Sequence, residues 1–358
     1  MKILISGING YMGTALYFHL KEQGHEVIGF DNDSREFNVK SIGSNSITEK
    51  AVIPYNGLNA TDYESLKAYI EKNNPDTIIW LAEQPSAPFS MINQRHATDT
   101  MNNNMQGTLN VLYAIKEVNP KIHLIKIGTE GEYPADLWKD KHIPEGDKIT
   151  VQYKGEDWEI PTPRGFGSIY HSTKLSSSQL ISWLTPIWGL RVTDVNQGIV
   201  FGHVNGTRLD VDYYFGTVVH RFVAQAVSGI PLTVYGEGGQ TRGMICLQNS
   251  LESLQLLSEN PAKQGDFRVV HQTGYEYSVN QVAKMIQDLT GCKIEHIENP
   301  RVEMPRNKFT FDTSTLDKLG LKKIRLDDEL PRLIKVVEDN KDRIIKESLM
   351  PQDHAKWS

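Results

Sequence analysis

The chain opens on short apolar runs separated by longer amphipathic ones. Lys2–Ser6 reads as a buried strand, Tyr11–Gln23 as a helix, and Glu26–Asp31 as a second strand. Thr77–Ala82 and His123–Ile127 read as further strands, with a helical period over Thr100–Val118 between them. Ser168–Leu184 predicts a long helix that stops before Pro186, followed by a strand over Leu190–Asn196. Apolar strands that alternate with helices imply a parallel sheet wound by right-handed crossovers. The expected fold class is α/β, a Rossmann-type doubly wound parallel sheet with a smaller mixed α/β lobe.

Beyond Asn196 the regularity loosens. An amphipathic run covers Phe215–Val227, and Arg268–His271, a helix over Ser278–Thr290 and Ile294–Ile297 suggest the smaller lobe. The expected division is 1–196 plus about 237–262 for the sheet domain, and about 197–236 plus 263–358 for the lobe. The polar segment Asp136–Gly165 is long for a connection, and long loops beside α/β sites often act as lids. Leu326–Leu349 reads as a solvated charged helix with no site in it.

Composition narrows the classes. With 38 Lys+Arg against 44 Asp+Glu, a net charge of −6 and no basic tail, the 358-residue chain is a poor ligand for nucleic acid or an anionic membrane. No run approaches the length of a membrane-spanning helix, and Met1-Lys2-Ile3 leads directly into a strand without a leader pattern. Cys246 and Cys292 are too few for a disulfide framework or a zinc site, so no metal and a reducing, cytoplasmic location are expected.

Gly7-Ile8-Asn9-Gly10-Tyr11-Met12-Gly13 lies between the first strand and the first helix. Glycines there permit a tight turn, close approach of a pyrophosphate to backbone N–H groups, and close helix packing. Asp31, at the end of the second strand, suits the adenosine ribose hydroxyls and repels a 2′-phosphate, which favours NAD over NADP. Arg35 reads as a solvated surface cation, and Asn59 as either an adenine contact or a turn residue.

Tyr170 and Lys174 stand four apart on one helix face. A free phenol has a pKa of roughly 10, and a neighbouring ammonium with a cationic nicotinamide favours the phenolate. Thr129 ends a strand, where ligands sit in open parallel sheets, and its hydroxyl suits a sugar alcohol. Glu130 and Glu132 follow as candidate acids or bases, and His171 as a proton carrier or a packed histidine.

Longer stretches carry a resemblance. They are Glu83-Gln84 with Ser86–Met91, Gly107–Leu112, Gly128-Thr129 with Gly131-Glu132-Tyr133, and Asn196-Gln197-Gly198. Further on come Pro231–Gly236, Gly239–Gly243 and Asn299-Pro300-Arg301-Val302-Glu303. Together they resemble the extended short-chain dehydrogenase/reductase superfamily of nucleotide-sugar epimerases and dehydratases, and within it the UDP-sulfoquinovose synthases. The resemblance implies NAD as cofactor, UDP-glucose and sulfite as substrates, and a homodimer. It implies cofactor contacts at Tyr11, Met12, Asn32, Ala60, Leu81, Ala82 and Glu83, and substrate contacts at Gln84, Thr129, Asn196, Gln197 and Tyr235. Arg242 and Arg301 would hold the diphosphate.

The implied chemistry is transient oxidation at C4 of the hexose by Tyr170, Lys174 and Thr129. Elimination across C5 and C6 would follow, with Glu132, Glu130 or His171 as acid and base, and then addition of sulfite. Two positions depart from that pattern. Pro85 stands where the pattern has Arg, and Glu130 where it has Met. An acid at position 130 matches the dehydratases, so a 4,6- or 5,6-dehydratase, or a C4 epimerase, stays open beside the sulfite-adding enzyme.

Overall fold

The computed structural model describes residues 1–301 and 306–351. Val302 and Glu303 of the last resemblance stretch lie outside them. Seven parallel strands form the main sheet. Their order is Phe267–Gln272, Arg191–Gln197, His123–Thr129, Thr77–Trp80, Lys2–Ser6, Glu26–Asp31 and Asn56–Gly57. The order reverses beside Lys2–Ser6, the position at which doubly wound folds bind ligands.

Alternation along each strand feeds two cores. Ile3, Ile5, Ile79, Ile125 and Val195 pack against Leu16 and Leu20 of helix Tyr11–Glu22 and Leu251 and Leu254 of helix Leu247–Glu259. Leu4, Ile78, Leu124 and Val192 face the other way, against Leu66, Ile70, Val111, Leu112 and Ile181. Both faces are covered, as an all-parallel sheet requires. A third core joins Phe222, Val223, Leu232, Met244, Val282, Leu330 and Leu333 in the second lobe.

Several elements differ from the pattern reading. Phe267–Gln272, assigned by its position to the lobe, is the edge strand of the main sheet beside Arg191–Gln197. Gly239–Cys246, assigned to the sheet domain, pairs instead with Ile199–Phe201 and Tyr275–Ser278 in a separate sheet. Strand pairing over such separations leaves no local mark on the sequence. The helix Ile169–Trp188 continues through Pro186, which is exposed in its last turn. Loss of one peripheral N–H costs little there, and Gly189 at φ 61° ends the helix in its place.

Asp136–Gly165 is not an open loop. It holds the strand His142–Ile143 and an antiparallel hairpin, Lys148–Tyr153 with Glu156–Pro161. The hairpin turns on Lys154 and Gly155, both at positive φ, the two-residue turn that matches strand twist. Leu326–Asp339 is a helix with a buried face, Leu326, Leu330, Leu333 and Val337, so it is part of the third core and not a solvated rod. No helix among the described residues is long and apolar enough to cross a membrane.

Candidate active site

The C-terminal ends of the sheet strands open into a cavity of about 1040 Å³ that runs into the second lobe. Gly7, Gly10, Tyr11, Met12 and Gly13 line one end. Gly7 has φ 66°, and a Cβ on it would stand 2.6 Å from the Leu81 carbonyl oxygen. A Cβ on Gly13 would stand 2.7 Å from the Ile8 Cα. Only glycine lets the turn and the helix start pack this closely, at a helix end whose first-turn N–H groups have no intrahelical partner. Those are the demands a pyrophosphate makes.

Asp31 completes this end. Its carboxylate accepts the N–H groups of Asn9 and Asp33, each at 2.8 Å, and burial raises its pKa. Asn32, Ala60, Leu81, Ala82 and Glu83 line the same space. Arg35 is not the solvated cation expected: its guanidinium lies 2.8 Å from Asp210 and 3.9 Å over the Phe215 ring. Being matched to a carboxylate, it is poorly placed to receive a 2′-phosphate, in keeping with NAD. Asn59 is exposed, and its Oδ1 accepts the Thr61 N–H; it acts as a turn residue, outside the cavity wall.

Thr129, Glu130, Tyr170, His171 and Lys174 line the middle of the cavity. Ser168 caps the Tyr170 helix through its hydroxyl, which accepts the His171 N–H at 3.2 Å. The Thr129 hydroxyl reaches the Tyr170 phenol and favours its ionised form. The net shift is nonetheless upward, from burial first and then the Glu83 carboxylate. Lys174 donates to Glu83 and, at 2.7 Å, to the Ile127 carbonyl. The expected ammonium–phenol partnership is therefore preceded by an ammonium–carboxylate one.

Glu130 is tucked between Gly198 and Gly243, where a Cβ on Gly243 would overlap its carboxyl group. Burial, then the charge of Glu276, raises its pKa well above the usual carboxylate range. Both effects favour the protonated acid at the cavity wall, against the Gly243 N–H and the Arg242 charge. His171 is the reverse case: burial and the charges of Arg301 and Arg242 lower its pKa to about 3, so the ring is neutral. Its Nδ1 lies 2.9 Å from the Ser168 hydroxyl.

Three expected site residues lie behind the wall. Glu132 is wholly buried, 3.2 Å from Arg164 and 3.9 Å from Lys126, in a cluster that also holds Asp194. It is an internal counter-ion, not a cavity acid or base. Asn196 is wholly buried and donates to the Tyr133 hydroxyl at 2.8 Å, outside the cavity lining. Gln84 bonds Thr100, Ser86 and Asn104 beneath the surface. Its neighbours Glu83 and Pro85 line the cavity in its place. Gln197, Tyr235, Arg242 and Arg301 do line it.

Sequence reasoning passed over Asn103 and Asn104. They belong to a π-helical turn, Asn102–Gln106, inserted in the helical run from Gln94 to Val118. The wide turn lets Asn104 bond the Gln84 backbone and Thr173 while Asn103 reaches the cavity. The run Asn102-Asn103-Asn104, polar inside an apolar period, was the available signal. Among the described residues no cluster of His, Cys, Asp or Glu could hold a metal ion.

Comparison with known proteins agrees with this architecture. A sequence model of the NAD dependent epimerase/dehydratase family matches residues 3–270. The chain is 37% identical over 389 aligned positions to the UDP-sulfoquinovose synthase of Sulfolobus acidocaldarius, covering 100% of this chain and 98% of that protein. It is 36% identical over 380 positions to the chloroplastic UDP-sulfoquinovose synthase of Spinacia oleracea, covering 98% and 78%. The solved structure of UDP-glucose 4-epimerase from Bifidobacterium longum, a complex with NAD+ and UDP, shares the fold. Its TM-score is 0.70 at 19% identity, over 96% of this chain and 100% of that one. With most of its length matched at this level, the chain belongs to the NAD-dependent epimerase/dehydratase family.

Proposed function

We propose that this NAD-dependent enzyme converts UDP-glucose and sulfite to UDP-sulfoquinovose and water. The observation that carries the reading is one wall holding Thr129, Tyr170 and Lys174 next to Glu130, whose burial favours the protonated acid. Two near-full-length relatives that bear this activity support the choice of substrates. The glycine turn and Asp31 would hold NAD, which would supply a hydride acceptor and donor for C4. Tyr170 receives the C4 hydroxyl proton and later returns it, with Thr129 steering the hydroxyl.

The C4 ketone acidifies the C5 proton. A base on this wall accepts that proton, with neutral His171 the candidate that lines the cavity, while Glu130 gives its own to the departing C6 hydroxyl, which leaves as water. Sulfite sulfur then bonds to C6 of the resulting alkene, and C5 recovers a proton. Having given up its proton, Glu130 takes one back from bisulfite or solvent before sulfite adds, because a carboxylate there would repel the anion. Arg242 and Arg301 hold the diphosphate, where a guanidinium fork suits phosphate oxygens.

Pro85 lines the cavity and offers no cation to sulfite, which favours a second reading, elimination without sulfite addition. Incubation of the NAD-loaded protein with UDP-glucose, with and without sulfite, separates the two by product mass. A sulfonated product that requires sulfite supports the synthase; loss of water alone overturns it in favour of a dehydratase.

We also propose a cytoplasmic homodimer. The free thiols Cys246 and Cys292 support the compartment. Exposed Trp183 and Ile187, one turn apart on the Tyr170 helix, and exposed Tyr113 on the neighbouring helix support the pairing surface.

A further inference from the structure

Arg221 belongs to the helix Val218–Val227, whose first residue, Val218, lines the cavity together with Thr217 and Gly216. The side chain of Thr217 caps that helix by accepting the His220 N–H. Arg221 is only 5% exposed and lines the same space. Its Nη1 donates to the Tyr235 hydroxyl at 2.9 Å, and its Nε has no hydrogen-bond partner. Its guanidinium lies 5.1 Å from the ring of Tyr235 and 5.7 Å from that of Tyr213.

Three other arginines with largely buried side chains are matched by carboxylates. Arg35 and Arg208 share Asp210, and Arg164 meets Glu132 and Asp194. Among the described residues Arg221 has no carboxylate within salt-bridge distance. A guanidinium withdrawn from water without a counter-ion is costly unless a ligand provides one. The nearby charge is of the same sign: Arg301 and Arg221 both act on the Tyr213 phenol. The N-terminal end of the helix adds partial positive charge. Two cations, a helix start and an orphaned N–H around one cavity lobe call for a multiply charged oxyanion.

We infer that Arg221 binds a phosphate group of the nucleoside diphosphate, as a third guanidinium beside Arg242 and Arg301. This rests on the nucleotide-sugar reading and adds a residue that the motifs did not point to. The sulfonate of a product is the other oxyanion the reading supplies, and the test tells them apart.

The test is calorimetric titration of the NAD-loaded protein with UDP and with uridine, for wild type and Arg221→Gln. Loss of a charge-assisted fork should weaken UDP binding about 10- to 100-fold and leave uridine binding unchanged. Equal weakening of both ligands would mean that Arg221 shapes the base pocket, and overturns the inference. Unchanged UDP binding also overturns it, including the case where only the dependence of turnover on sulfite has moved. If Arg221→Gln fails to fold, Arg221→Lys takes its place; it keeps the charge without the fork and should cost UDP several-fold and uridine nothing. A wild-type protein that binds neither UDP nor UDP-glucose would overturn the nucleotide-sugar reading itself.

Discussion

The Lys174 ammonium is bonded to the Glu83 carboxylate, and it lies 5.7 Å from the ring centre of Tyr170, four residues earlier on the same helix. Lysine and tyrosine are thus coupled through an acid that opposes ionisation of the phenol. Glu83→Gln removes that opposition. Since Tyr170 must be deprotonated to act as base, the acid limb of the pH–rate profile should move to lower pH. A limb that moves upward would show that Glu83 serves Lys174 chiefly by holding it in position.

Glu130 must be protonated to release the C6 hydroxyl, and burial raises its pKa. Activity should therefore fall as pH rises through that value. Glu130→Gln should cost about 10²- to 10⁴-fold in product formation and abolish the basic limb. A profile that keeps its basic limb in the variant would assign the limb to another group.

Glu132 has a structural role to be tested by stability. Glu132→Ala leaves Lys126 and Arg164 buried with Asp194 as their remaining carboxylate. A loss of about 3–5 kcal/mol is expected, read as a lower urea midpoint. A stable variant that is merely inactive would return Glu132 to the list of catalytic groups.

Gly13→Ala puts a methyl group 2.7 Å from the Ile8 Cα, and backbone cannot swing aside as a side chain can. Overpacking of about 1–3 kcal/mol should lower the melting temperature and weaken NAD binding in equilibrium dialysis. Unimpaired NAD binding would place the dinucleotide away from this turn.

Trp183→Glu introduces a charge on the exposed face of the Tyr170 helix. Sedimentation should report a monomer with unchanged melting cooperativity. A wild-type protein that already sediments as a monomer removes the homodimer.

Much of this was legible in the sequence, because the signals are local. A buried strand followed by a glycine turn and a helix depends on neighbours a few residues apart, as at Lys2–Glu22. So does the i, i+4 placement of Tyr170 and Lys174 on one helix. What escaped was set by geometry at longer range. Glu130 and Glu132 lie in one short 3₁₀ turn, yet one faces the cavity and the other an ion cluster beneath the Tyr170 helix. No periodicity assigns two acids in such a turn to their sides. Asn196 and Gln84, expected to touch substrate, lie behind the wall for a related reason: strand and loop residues next to lining positions point away from them. The Pro186 turn was misread because proline is costly inside a helix and cheap at its frayed exterior end.

The strand Phe267–Gln272 closes the main sheet only after the chain has left it, built most of the second lobe and come back. A fragment ending near Asn196 would expose the whole edge of Arg191–Gln197 as unpaired N–H and C=O groups, an invitation to aggregation. The cofactor-binding half is therefore not a detachable module. During synthesis it has to wait for its last strand, so the two halves of the active site become competent together or not at all.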